Sequence, residues 1–149
     1  MGLMADLGSG LVAVDTAVFV YFIEEDPRFL PLLDPLFREA DRGARELVTS
    51  AVTLLEVLVV PYRAGNQLLA DRYEALLTRS RGIRLVDLSR EQLRAAALLR
   101  ATTGIKTPDA LQLAAAIAAK CRTFLTNDRR LPTVPGLRIT QLNSYRRQG

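Results

Sequence analysis

Four carboxylates stand at junctions between predicted strands and helices. Asp15 follows the apolar run LVAV, and Asp128 ends FLTND after another buried run. Glu56 is the only charge in TLLEVLVV, and Asp109 falls in the first turn of a predicted helix. Open parallel sheets bind ligands outside the carboxyl ends of their strands, so the four acids would share one edge and raise each other's pKa values. A hard cation such as Mg²⁺ or Mn²⁺, which prefers oxygen ligands, would relieve that repulsion.

Each of these acids also has a purely structural explanation. Asp15 is a suitable N-cap for the helix that follows it. Residues 53–56, TLLE, match a capping box in which the Glu56 side chain would accept from the backbone amide of Thr53. The helix dipole favours Asp109, and Asp128 lies in an Asn-Asp pair that is common in turns. Taken singly these explanations are at least as good as a catalytic one, and it is the joint position of the four acids that favours a metal site.

Other kinds of catalytic site are excluded by composition. Histidine is absent, which removes Ser-His and Cys-His nucleophiles, imidazole bases and imidazole metal ligands. The single cysteine, Cys121, excludes an internal disulfide and a cysteine zinc site. Any catalysis must therefore use carboxylates, hydroxyls, amines or a metal.

Positive charge is concentrated in the last fifth of the chain. The net charge is +4, but residues 120–149 hold seven basic residues and one acid. All the basic residues except Lys106 and Lys120 are arginine, whose planar guanidinium suits phosphate. This distribution predicts a polyanionic partner. A solvated surface that serves only solubility is the alternative.

Short apolar runs alternate with helical patterns along the chain. Strands are predicted at 11–14, 46–49, 83–87, 122–126 and 137–140, and helices at 16–24, 29–40, 53–60, 67–79, 89–102 and 107–120. Ser89 and Thr107 are predicted N-caps, and Pro61 should kink or end its helix. The alternation predicts one α/β domain over 1–149: a three-layer sandwich whose short, mostly parallel central sheet is flanked by helices.

The ends and apolar stretches of the chain give no sign of export or membrane insertion. Residues 1–10 lack the basic and apolar regions of a signal peptide, and we expect them to form a flexible leader. The longest apolar stretch, about 48–60, is too short to span a bilayer. These features predict a cytoplasmic protein with no membrane partner.

Four stretches resemble successive motifs of PIN-domain nucleases, especially the toxins of VapBC-type toxin–antitoxin pairs. They are VAVDTAVFVYFIE, TSAVTLLEVLVVPYRAG, KTPDALQLAAAIAAKC and FLTNDRRLPTVPGLRITQL, and the resemblance spans about residues 11–142. It implies a PIN-like fold and an endoribonuclease that uses one or two Mg²⁺ or Mn²⁺ ions. Matched position by position, the catalytic and metal-ligating quartet falls on Asp15, Glu56, Asp109 and Asp128.

The resemblance also implies supporting residues and partners. Positions that support metal or phosphate in such proteins fall on Thr16, Ser50, Thr126 and Asn127, whereas Ala17 stands where the family often has Asn or Ser. RNA is the implied substrate, with Arg129 and Arg130 available to hold its backbone. A homodimer and a small antitoxin protein are the implied partners. The residues considered for a groove or dimer face, with the core as the alternative, are Phe19, Tyr21, Phe22, Phe29, Leu32, Leu33 and Phe37.

Three other functions are alternatives to that of a toxin. One is a PIN-fold nuclease that acts in RNA processing or on DNA flaps. Another is a PIN-like scaffold that binds RNA or a partner without catalysis, which the complete acidic quartet disfavours. A haloacid-type phosphatase is disfavoured because Asp15-Thr16-Ala17 lacks the second aspartate of that nucleophile motif.

Overall fold

A parallel sheet of five strands, in the order β3-β2-β1-β4-β5, forms the centre of the computed structural model, which describes residues 2–146. The strands are β1 Val12–Val14, β2 Leu47–Ser50, β3 Ile83–Val86, β4 Thr123–Thr126 and β5 Arg138–Gln141. The three central strands are buried along their whole length, and the two edge strands are partly exposed. Strands covered on both faces are rich in apolar residues, which is why they appear in the sequence as short apolar runs, and the polar residues of β2 and β4 lie at the ends of these strands. The predicted α/β sandwich is confirmed.

Helices cover both faces of this sheet. They are α1 Leu3–Leu7, α2 Thr16–Ile23, α3 Leu30–Asp41, α4 Val52–Arg63, α5 Gln67–Arg79, α6 Arg90–Thr103 and α7 Thr107–Ala118, followed after β5 by a 3₁₀ turn, Leu142–Tyr145. Side chains that alternate along the strands separate two cores. Val12, Val14 and Leu125 pack with α1, α2, α3 and α5, whereas Ala13 and Phe124 pack with α7. No helix among residues 2–146 is long and apolar enough to cross a membrane.

The expected flexible leader is instead a short helix packed on the domain. Leu3 and Leu7 of α1 are buried in the main core. The hydroxyl of Tyr145 donates to Asp6 Oδ2 at 2.5 Å, and the guanidinium of Arg45 donates to the carbonyl oxygens of Gly8 (2.5 Å) and Gly10 (3.2 Å). These partners lie far away in the sequence, so the local sequence pattern could not predict their contacts with residues 3–10.

The capping box expected at the start of α4 does not form, and the helix does not end at Pro61. The helix begins at Val52 with Ala51 as its N-cap, so Thr53 is already helical and the capping box does not form. The helix also continues through Pro61 to Arg63. Pro61 lies in the last turn, where its missing N–H removes only one hydrogen bond, and burial of Val57 and Pro61 holds the helix in place.

Of the two other predicted N-caps, one is confirmed and one is wrong. Ser89 caps α6 as predicted, since its hydroxyl accepts from the Gln92 backbone N–H at 3.2 Å. At α7 the N-cap is Lys106 rather than Thr107, which is the first helical residue. The Thr107 hydroxyl instead accepts from Arg100 Nη1 at 3.0 Å, a contact between neighbouring helices that competes with capping.

Most of the seven residues considered for a partner groove belong to the core. Four are buried, namely Phe19, Phe29, Leu33 and Phe37, while Tyr21, Phe22 and Leu32 are half-buried. Phe22 and Phe37 stack at 3.9 Å between ring centroids and line a cleft of about 190 Å³ that also borders α5 and β3. The apolar residues that are exposed lie elsewhere, chiefly on α4.

Gly82, where α3 meets the start of β3, has no room for a side chain. A Cβ at this position would lie 2.1 Å from the Ala40 carbonyl oxygen, and the Gly82 carbonyl accepts from Leu47 N at 2.7 Å, so the backbone cannot move away freely. We predict that Gly82→Ala lowers the free energy of unfolding by about 3 kcal/mol or more, the upper end for overpacking. Gly65→Ala, in open space at φ +67°, should cost about 1–2 kcal/mol. Urea denaturation measures both, and equal losses would contradict the prediction.

Candidate active site

Asp15 and Thr126 leave the sheet side by side at its carboxyl edge. β1 and β4 are paired with Val14 opposite Leu125, and the Asp15 N–H donates to the Leu125 carbonyl at 3.0 Å. Asp15 Oδ1 accepts from the Thr16 backbone N–H at 2.8 Å, and Oδ2 accepts from the Thr126 hydroxyl at 2.6 Å. Asp15 therefore caps α2 and, at the same time, is tied to the end of the neighbouring strand.

Thr16 brings a second carboxylate to the same place. Its hydroxyl donates to Glu56 Oε1 at 2.7 Å, across 40 residues of sequence. Glu56 lies in the second turn of α4, the helix that follows β2, so it is carried to the edge by the strand next to β1. One threonine thus holds Asp15 through its backbone and Glu56 through its side chain.

Thr126 also contacts a third acidic residue, Asp128, through the backbone of that residue. Its hydroxyl oxygen accepts from the Asp128 backbone N–H at 2.9 Å. Asp128 forms the expected turn, because its Oδ1 accepts from the Arg130 backbone N–H at 2.9 Å, and Arg130 Nε donates to the same oxygen at 3.1 Å. Thr16, through its backbone N–H and its hydroxyl, and Thr126, through its hydroxyl, therefore link Asp15, Glu56 and the backbone of Asp128 in one hydrogen-bonded cluster.

Asp109 stands apart from that cluster but shares its electrostatic field. Its carboxylate has no hydrogen-bond partner among residues 2–146. Burial raises the pKa of Asp109, and the negative charges of Asp128 and Asp15 raise it further, more than Arg130 and Lys106 lower it. The first turn of α7 therefore points its acid at the same edge of the sheet.

Asp15 experiences the same repulsion. Burial raises the pKa of Asp15, and the charges of Glu56 and Asp128 add to this effect, although the hydrogen bonds from Thr126 and Thr16 oppose it. Burial and the neighbouring charges both disfavour the ionised form of Asp15, and a bound cation would favour it.

Positive side chains balance only part of this charge. Partial burial raises the pKa of Asp128, but the hydrogen bonds and charge of Arg130 outweigh it, so the pKa of Asp128 lies below its usual value. Lys106 lowers the pKa of Asp109 and Asp128 as well. Sequence reasoning did not select Lys106; its place directly before the helix of Asp109 was the available signal.

The donor set fits a hard divalent cation held through few direct ligands. Over residues 2–146, no three Asp, Glu, His or Cys side chains lie close enough together to ligate one ion. Mg²⁺ commonly retains several waters and is held by one or two carboxylates, so an open arrangement of oxygen donors suits it. The unbalanced negative charge on Asp15 and Asp109 is the second feature that such a cation would relieve.

Ser50 and Asn127 contact the backbone rather than a carboxylate. Ser50, fully buried, accepts from the Val52 N–H at 3.2 Å, and Asn127 Oδ1 accepts from the Asn143 N–H at 2.7 Å. Asn127 Nδ2 also approaches the Tyr21 hydroxyl at 3.4 Å. An open cleft over the site is lined by Asp15, Ala17, Tyr21, Asn127, Asp128, Arg129 and Arg130. Sequence reasoning placed Tyr21 only in the core or a partner groove.

Removing the charge of Asp109 should stabilise the metal-free chain. Because the pKa of Asp109 is raised in the folded state, the folded chain retains this proton to a higher pH than the unfolded chain. Ionisation of Asp109 therefore lowers the free energy of unfolding as pH rises from the ordinary value of 3.8 through the raised one. We predict that Asp109→Asn raises Tm at pH 7 in the presence of a chelator, as measured by calorimetry.

Asp87 provides the matched control for that substitution. It also follows a parallel strand, β3, but lies exposed at the outer edge of the sheet. Asp87→Asn should leave Tm nearly unchanged. A lower Tm for Asp109→Asn would show that the helix dipole, rather than repulsion between carboxylates, dominates at this position.

Comparison with known proteins agrees with this architecture. The sequence profile of the PIN domain matches residues 12–137, and no curated protein matches the chain. VapBC2 from Rickettsia felis bound to a promoter DNA fragment superimposes with a TM-score of 0.65 at 20% identity, covering 88% of this chain and 98% of the other. A toxin–antitoxin complex from Klebsiella pneumoniae gives 0.60 at 20% identity over 87% and 95%, and DNA-bound VapBC from Salmonella typhimurium gives 0.62 at 18% over 89% and 98%.

Identities this low establish the fold alone, whereas the sequence profile establishes the family. PIN domains are generally nucleases and generally use divalent metals. The match extends from β1 to the start of β5 and so includes all four carboxylates of the edge. The chain belongs to the PIN domain family.

Proposed function

We propose that this chain is a Mg²⁺- or Mn²⁺-dependent endoribonuclease and the toxin of a type II toxin–antitoxin pair, acting in the cytoplasm. One observation carries the catalytic part: Thr16 and Thr126 link Asp15, Glu56 and Asp128 by hydrogen bonds at the edge where Asp109 adds a fourth charge. A fold has no structural need to gather four acids whose mutual repulsion costs free energy. RNA as substrate is supported by the resemblance to toxin PIN domains.

Asp15 and Asp109 are the proposed principal metal ligands, because both carry negative charge that their surroundings leave unbalanced. Glu56 and Asp128 would complete the site through water or a second ion. Bound there, the cation would neutralise charge on the scissile phosphate and lower the pKa of a water molecule. Thr16 and Thr126 hold the carboxylates of Asp15 and Glu56 in place. The carboxylate oxygens keep further lone pairs that a metal ion could use.

Basic side chains around the acids would bind the RNA backbone. Arg129 and Arg130 line the cleft beside Asp15 and Asp128, and Lys106 lies close enough to act on Asp109 and Asp128 electrostatically. Arg130 already pairs with Asp128 at 3.1 Å and shows that this part of the site accepts a positive group. Binding that depends on such contacts weakens steeply as salt concentration rises.

Cleavage of single-stranded RNA by the purified chain tests the catalytic proposal. We predict cutting with Mn²⁺ or Mg²⁺ that a chelator abolishes. Asp15→Ala and Asp109→Asn should each reduce the rate by at least ~100-fold, because each removes a charge used to bind the cation. Asp87→Asn, the matched strand-end acid, should cut at the wild-type rate.

Several outcomes would separate this proposal from its alternatives. Cutting that survives both the chelator and the two substitutions would refute the metal mechanism. RNA binding without cutting would favour the scaffold. Expression in a bacterial host should arrest growth for the wild type and spare it for Asp109→Asn, whereas harmless expression of an active nuclease would favour a role in RNA processing.

Exposed apolar surface supports the partner part of the proposal. Leu55, Val59 and Tyr62, spaced four and three residues apart, form an apolar stripe on one face of α4, the α4 stripe, and they are 41–64% exposed. Contiguous apolar surface of this kind marks interaction sites in soluble proteins. We assign the α4 stripe to a homodimer. The cleft lined by Phe22 and Phe37 is assigned to an apolar anchor of a small antitoxin, by extension from the Klebsiella pneumoniae complex.

A charge placed in the α4 stripe should dissociate the homodimer. We predict that Leu55→Glu converts a dimer to a monomer in light scattering after gel filtration, because the new carboxylate would be buried without a partner. Leu98→Glu is the matched control, since Leu98 on α6 is 66% exposed against 64% for Leu55 and lies outside the stripe. A wild-type chain that is monomeric at micromolar concentration would refute the assignment.

A further inference from the structure

A buried amide connects three elements behind the candidate active site. Gln112 of α7 is 2% exposed. Its Oε1 accepts from the Thr49 hydroxyl at 3.1 Å and the Ser50 backbone N–H at 3.2 Å. Its Nε2 donates to Thr53 Oγ1 at 2.5 Å and to Thr16 Oγ1 at 3.1 Å. The amide therefore uses its full hydrogen-bonding capacity on β2, α4 and α2 at once.

The backbone of β2 sets the orientation of this amide. The Ser50 N–H can only donate, so the atom that faces it must be Oε1, and Nε2 must face Thr16. The Thr16 oxygen thus receives an N–H, and its single proton is directed to Glu56 Oε1 at 2.7 Å. Donation runs in one direction, from the main chain of β2 through Gln112 and Thr16 to Glu56.

Loss of the Gln112 amide would free Thr16 to rotate. The Thr16 hydroxyl lies 3.0 Å from Thr53 Oγ1, which would become its alternative acceptor. Glu56 would then lose the only hydrogen bond that holds it among residues 2–146. The backbone N–H of the same threonine donates to Asp15 Oδ1, so the residue whose hydroxyl Gln112 contacts also stands next to the Asp15 carboxylate.

We propose that Gln112 is a positioning residue for the metal site. It touches neither the substrate nor the cation, and it acts by fixing the direction of the Thr16 hydroxyl, which presents Glu56 beside Asp15. The assignment rests on the proposed function, since it presupposes that these carboxylates hold a divalent cation. Packing alone does not require an amide here, since an apolar side chain of the same size would fill the space, and burial of the amide is offset because all its hydrogen bonds are made.

The chain contains its own control for the loss of a buried amide. Gln92 of α6 is 8% exposed and also faces α7, where its Nε2 donates to the Ala114 carbonyl at 3.4 Å. It has no hydrogen bond to Thr16, Glu56 or Asp15. Gln92→Met therefore removes a buried amide of the same size without disturbing the direction of the Thr16 hydroxyl.

The test is the affinity of the purified full chain for Mn²⁺ without RNA, read from the electron paramagnetic resonance signal of free Mn²⁺. Gln112→Met should weaken binding about tenfold, the lower end for losing a group that orients metal ligands. Gln92→Met should bind like the wild type. Thr16→Val, a half-buried position expected to fold even where Gln112→Met does not, should lose as much as Gln112→Met, and the double variant should lose no more.

Each outcome is decisive when circular dichroism confirms folding. Weaker binding in Gln112→Met and Thr16→Val, but not in Gln92→Met, supports the proposal. A wild-type chain that binds no Mn²⁺ overturns the proposed function and this assignment together. Wild-type binding that Thr16→Val leaves unchanged overturns the assignment alone, and so does an equal loss in Gln92→Met.

Discussion

Parallel pairing of β1 with β4 is the interaction on which the rest of the candidate site depends. With Val14 opposite Leu125, the next residues on both strands, Asp15 and Thr126, leave the sheet next to each other. The side-chain period of a strand is two. A slip of one strand by one residue would therefore turn its side chains to the other face of the sheet and separate Asp15 from Thr126. Burial of β1 and β4 on both faces makes such a slip costly, and the register of an apolar core thereby determines the position of polar groups.

Two threonines then hold three acidic residues close together by hydrogen bonds. Thr16 and Thr126 each contact two of the clustered acids, which keeps Asp15, Glu56 and Asp128 within one network in spite of their repulsion. A site of this kind is a local loss of stability retained for function, a common trade in enzymes. Burial, and to a smaller extent the charges of Glu56 and Asp128, raise the pKa of Asp15, and the proposed cation would offset both effects.

α7 combines packing and chemistry because most of its residues are small. Ala110, Ala114 and Ala116 are fully buried, which allows the helix to lie close to the sheet. On that closely packed helix, Asp109 reaches the carboxyl edge from the first turn, and Gln112, one turn further, enters the buried polar network. Larger apolar residues in place of the alanines would move both groups away from their partners.

The sequence by itself determined which segments form strands and where the acids fall along the chain. Uninterrupted apolar runs, the Ser89 cap and the acids at strand ends are local features, and each was predictable from residues within about one helical turn. Their common edge also followed, because parallel strands all end on the same side of a sheet. Resemblance to PIN motifs added the prediction that these four acids form a catalytic quartet.

Only the tertiary structure decided what each polar group contacts. Glu56 is bound by Thr16, 40 residues away, rather than by the backbone of Thr53 as local capping rules suggest, and Gln112 reaches Thr16 across 96 residues. Helix α1 is folded because Leu3 and Leu7 find a core built from later elements. Periodicity and capping encode contacts within a few residues, whereas these contacts depend on strand order, which places distant segments side by side.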